Sequence, residues 1–110
     1  MIKRKTLDEL RKGLMSLIVL DLLVENGPLH GYWIRIKLGE KLGEAPAEST
    51  VYTVLKRLEK QGLIKGYWAR GPSGKLRRYY TITEDGRVAH KEILREAKRL
   101  LGETICREGD

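Results

Sequence analysis

Residues 48–83, ESTVYTVLKRLEKQGLIKGYWARGPSGKLRRYYTIT, decide the fold, because the hydrophobic period changes within them. Val51, Val54, Leu55 and Leu58 recur at intervals of three and four, which predicts one apolar face of a helix running from Ala47 to Gln61. Past Gly62 the texture turns β-branched and aromatic. Ile64–Arg70 and Lys75–Ile82 read as two strands joined by the tip Gly71-Pro72-Ser73-Gly74. The stretch is therefore a helix followed by a β-hairpin.

Working outward, the segment before it holds two more helices. Leu7, Leu10, Leu14, Leu17 and Ile18 keep helical spacing, and Leu14–Val24 is apolar nearly all round, so this helix is buried on more than one side. Thr6-Leu7-Asp8-Glu9 fits a capping box at its start, and Asn26-Gly27-Pro28 stops it. Leu29–Leu42 reads as a second helix, ended by Gly43-Glu44-Ala45-Pro46. After the hairpin, Thr83 with Glu84 and Asp85 predicts the cap of a last helix over 84–103, and the tail from Gly102 should fray. The expected fold class is mainly α with a small β-hairpin wing (α+β), one domain over residues 1–110 with its core in 6–83 and its wing in 64–82.

Apolar residues make up 41% of the 110 and charged residues 34%, enough for one core and too much hydrophobicity for a disordered chain. One cysteine, Cys106, and two histidines, His30 and His90, exclude an intramolecular disulfide framework and a conventional zinc site. Leu14–Val24 is shorter than the roughly 20 residues of a membrane span, and Ser16 and Asp21 interrupt it. A cytoplasmic protein is expected. Neither a nucleophile with its base nor a phosphate loop is present, so an enzyme is the weakest reading and no cofactor is expected.

The net charge of +7 is concentrated. Residues 64–83 contain Lys65, Arg70, Lys75, Arg77 and Arg78 and no acid, whereas residues 84–110 come to −1. On the helix before the hairpin, Ser49, Thr53, Lys56 and Lys60 fall opposite the apolar stripe, flanked by Thr50 and Arg57. Hydroxyls and long cations suit base edges and phosphates of a duplex major groove. Taken singly such a row is an ordinary solvated helix face; between a tight helix pair and an all-basic hairpin it has the order of a winged helix-turn-helix.

These residues also carry a resemblance. Gly27-Pro28-Leu29-His30-Gly31-Tyr32, then Ser49-Thr50-Val51-Tyr52 with Leu55, Leu58 and Gly62-Leu63-Ile64, then Arg77-Arg78-Tyr79-Tyr80-Thr81-Ile82-Thr83 and Gly86-Arg87, resemble the PadR family of transcriptional regulators over about residues 14–88. The resemblance implies a homodimer on a two-fold operator in double-stranded DNA. It puts the recognition helix on residues 48–61 and the wing on residues 68–79. Ser49, Thr50, Tyr52, Thr53, Lys56 and Arg57 would then face the groove or its edge, with Lys75, Arg77 and Arg78 on adjacent phosphates.

Other surfaces have competing readings. Tyr52 serves equally as a core-edge ring or a phosphate contact. Trp33 and Trp68 are by base rate core residues, with a pocket for a small aromatic effector as the alternative. Leu14, Leu17, Ile18, Ile93, Leu94, Ala97, Leu100 and Leu101 exceed what one small core needs, which points to dimerisation. Two alternatives to the DNA regulator stay open: an effector-sensing module and a protein-binding adaptor built on the same fold.

Overall fold

The computed structural model describes residues 3–102. Its elements are α1 (Arg4–Asn26), β1 (Leu29–His30), α2 (Gly31–Leu42), α3 (Glu48–Lys60), β2 (Ile64–Arg70), β3 (Leu76–Ile82) and α4 (Glu84–Ala97), which continues into a wider π-type turn at Lys98–Gly102. Cys106 and the remainder of the tail lie outside the described residues.

The core is made where the apolar stripes meet. Val19, Leu20, Leu22 and Leu23 of α1 pack with Ile34 and Leu38 of α2 and with Val51, Val54, Leu55 and Leu58 of α3; Ile64, Tyr80 and Ile82 close it from the sheet. A left-handed Gly62 (φ 76°) ends α3, and the Leu63 amide donates back to the Leu58 carbonyl at 3.0 Å, turning the chain directly into β2. Thr83 performs the expected cap: its hydroxyl accepts from the Gly86 amide at 3.0 Å and donates to the Gly62 carbonyl at 2.7 Å. It thereby ties the start of α4 to the end of α3. Gly86 permits the approach, since a Cβ there would stand 2.1 Å from the Leu63 carbonyl oxygen.

Three expectations need correction. The first helix begins at Arg4 with Lys3 as its cap residue and no side-chain cap, so Thr6 lies inside the helix and forms no capping box. The Leu7 amide already reaches the Lys3 carbonyl at 3.1 Å, because the basic residues before Thr6 tolerate helix and nothing there stops it. The second helix begins at Gly31, not Leu29: Leu29 and His30 are extended and pair antiparallel with Tyr80 and Tyr79. Consequently the sheet has three strands in the order β1-β3-β2 in place of a two-stranded hairpin.

The radius of gyration, 15.4 Å, exceeds the roughly 13 Å of a compact chain of this length. Leu7, Leu10 and Leu14 in the first three turns of α1, Ile93 and Leu94 of α4, and Leu100 and Leu101 of the turn after it are all exposed.

Candidate nucleic-acid interface

Because the inner face of α3 is fixed in the core, its outer face is fixed toward solvent. Ser49, Tyr52, Thr53, Lys56, Arg57 and Lys60 are exposed and Thr50 is half-buried at the flank. Thr53 Oγ1 donates to the Ser49 carbonyl at 2.9 Å at an exposed position. Among the described residues no ion pair engages Lys56, Arg57, Lys60, Lys75 or Arg77.

The hairpin stands beside this face. Its tip is closed by Arg70, whose Nη1 donates to the Gly74 carbonyl at 2.9 Å, and by the Gly74 amide donating to the Gly71 carbonyl at 2.9 Å. Lys75 is exposed at the tip, and the Arg77 guanidinium lies 5.6 Å from the Tyr32 ring centroid. Strand alternation divides the two neighbouring arginines. Arg78 shares its face with Tyr80 and is opposed by Trp68 across the pair; its Nη2 donates to Glu59 Oε2 of α3 at 3.1 Å. It lies 5.8 Å from the Trp68 centroid and 5.9 Å from that of Tyr80. Burial pushes the Tyr80 hydroxyl above the ordinary phenol range, against the opposing pull of Arg78.

Between the start of α2, α3 and the hairpin lies an open cleft of about 330 Å³, lined by Tyr32, Arg35, Tyr52, Trp68, Arg77 and Arg78 among others. Tyr32 and Arg35 of α2 and His30 of β1 also line it and are not among the site residues expected from sequence; His30-Gly31-Tyr32 at a helix start is the available signal. His30 caps α2, its Nδ1 accepting from the Trp33 amide at 3.3 Å. Burial, and secondarily Arg77, hold its pKa below the ordinary imidazole value. Trp68 lines this cleft and Trp33 does not; Trp33 instead has the Lys37 amine 5.8 Å from its centroid. The two tryptophans therefore do not share this cleft.

Of the residues assigned to dimerisation, Leu14, Ile93, Leu94, Leu100 and Leu101 are exposed, Leu17 and Ala97 are half-buried, and Ile18 packs on the core. The buried His90 joins α4 to α1 through a 2.9 Å contact with Asp21. No described helix is long and apolar enough to cross a membrane.

Three packed helices with a β-hairpin following the third define a winged helix-turn-helix protein. The sequence profile of the PadR-like family of transcriptional regulators matches residues 19–92. An uncharacterised protein of Lysinibacillus sphaericus is 31% identical over 87 residues, 77% of this chain and 79% of that protein. A transcriptional regulator from Clostridium thermocellum is 31% identical, with a TM-score of 0.70 over 97% of each chain. A PadR family transcriptional regulator from Eggerthella lenta is 29% identical, with a TM-score of 0.71 over 96% of this chain and 90% of its own. The chain belongs to the PadR-like family of transcriptional regulators, a family of regulators and not of enzymes.

Proposed function

We propose that the protein is a homodimeric, sequence-specific binder of double-stranded DNA that acts as a repressor. The observation that carries this reading is the two-faced α3, whose inner residues are locked in the core while Ser49, Thr53, Lys56 and Lys60 stand free on the outside beside a hairpin without acid. In this reading α3 enters the major groove, with Tyr52, Thr50 and Arg57 at its edges, and Lys75 and Arg77 follow the backbone. The exposed apolar residues of α1 and α4 meet their copies across a two-fold axis, setting the two α3 helices about 34 Å, or a multiple of it, apart. Occupying a promoter in this way obstructs transcription.

The test is fluorescence anisotropy at several salt concentrations with the duplex upstream of the protein's own coding region against a random duplex. Tighter binding to the upstream fragment with a steep salt slope is expected. Equal, weak binding to both sinks the reading, and salt-insensitive binding to a protein would favour an adaptor.

Trp68 supports a second reading in which a small aromatic effector occupies the cleft and competes with DNA, since its ring is exposed beside α3. Saturable quenching of tryptophan emission by planar aromatic compounds, lost in Trp68→Ala, tests it.

A further inference from the structure

We propose that Glu59 and Arg78 form a clamp that sets the angle between α3 and the wing, so that both are positioning residues for DNA recognition and Arg78 is not a phosphate ligand. The proposal rests on the DNA-binding reading above. Glu59 is unfavourably placed on local grounds: a carboxylate in the last turn of a helix opposes the helix dipole, and on a DNA-facing element it repels phosphate. The hairpin compensates it. One oxygen, Oε2, accepts both from Arg78 Nη2 at 3.1 Å and from the Gly66 backbone amide at 3.3 Å, so the same carboxylate holds both strands, β2 and β3, against α3.

The register explains how Arg78 reaches it. Gly66 is paired with Tyr80 and Trp68 with Arg78, which puts positions 66, 68, 78 and 80 on one face of the hairpin. A side chain at 66 would fill the space that the guanidinium uses: a Cβ there would lie 2.6 Å from Arg78 Nη2 and 2.9 Å from its Cζ. The empty position lets the guanidinium cross the strand, flanked by the Trp68 and Tyr80 rings. With its charge paired to Glu59 and the Trp68 and Tyr80 ring centroids 5.8 and 5.9 Å away, Arg78 is less available to a phosphate than Arg77. Arg77, on the alternate face, has no ion pair among the described residues.

This reading reverses the electrostatic expectation for Glu59→Gln. Removing an acid from a DNA-binding protein should tighten binding to any duplex; loss of the clamp should instead weaken binding to the operator by about tenfold while leaving random duplex binding unchanged or tighter. Arg78→Ala should weaken operator binding similarly without changing the salt slope, whereas Arg77→Ala lowers the slope by about one. Gly66→Ala keeps both charges and displaces the guanidinium, so it should mimic Glu59→Gln; it also provides the test should Glu59→Gln fail to fold. The measurement is anisotropy on operator and random duplexes across a salt series, with melting temperature recorded for each variant. Operator binding by Glu59→Gln as tight as wild type, or a slope lowered by about one in Arg78→Ala, overturns the clamp. A wild-type protein that binds neither duplex overturns the DNA-binding reading instead.

Discussion

Leu55 and Lys56 are neighbours in sequence on opposite faces of α3, and truncating each to alanine separates folding from recognition. Leu55 has no exposed surface. Leu55→Ala should cost about 3 kcal/mol, the sum of lost transfer free energy and an incompletely collapsed cavity. With an unfolding entropy of about 2.1 cal/mol/K per residue over 110 residues, that is a melting-temperature drop of about 13 °C. Lys56 is exposed and has no ion pair among the described residues, so Lys56→Ala should change stability by less than about 0.5 kcal/mol. A lost base contact would weaken operator binding about 5- to 150-fold, equivalent to about 1–3 kcal/mol. Thermal circular dichroism at one fixed protein concentration reads the first effect, and anisotropy well below both melting transitions reads the second. If Lys56→Ala binds the operator as wild type does while Leu55→Ala melts as expected, α3 is built as described and its outer face is not what touches DNA.

Arg77→Ala should reduce the slope of log K against log salt by about 0.9 and weaken operator and random duplexes alike; an unchanged slope removes the hairpin from the backbone. His30 titrates below its ordinary value, so the fold prefers the neutral ring, whose Nδ1 accepts from Trp33. The stability it contributes is therefore complete above the ordinary imidazole value of about 6.5 and is lost as pH falls from there through the lower value of the folded state. His30→Asn retains an acceptor that does not titrate, and its melting temperature should show less acid sensitivity between pH 7 and 5; identical profiles would assign the sensitivity elsewhere. Leu94→Asp puts a charge on the exposed apolar face of α4, and sedimentation equilibrium should find it at the 12.6 kDa of one chain while the wild type sediments at twice that. A wild-type monomer would refute the dimer.

What was legible in the sequence was whatever obeys one period over a long segment. The stripe Val51, Val54, Leu55 and Leu58 defines α3 to within a residue at each end, and with it the outward row of Ser49, Thr53, Lys56 and Lys60. The hairpin was legible from its composition and the Gly71–Gly74 tip. What was missed depends on partners distant in sequence. Leu29 and His30 continue an apolar pattern into α2 and are a strand only because β3 offers them an edge at Tyr80 and Tyr79. Separating Arg77 from Arg78 takes the period of two along β3, since alternation from the buried Tyr80 and Ile82 puts Arg78 on their face. Its partner Glu59, nineteen positions earlier, is visible only once the hairpin folds back on α3.

On a bound operator, paired α3 helices should occupy major grooves of one duplex. Dimethyl sulfate protection of guanine N7, which lies in the major groove, tests it on the upstream fragment. Two protected patches centred about 10 base pairs apart, or an integer multiple of that, are expected, with both lost in Lys56→Ala at the same protein concentration. A bound duplex whose guanines remain fully reactive would contradict it, since α3 would then lie outside the groove.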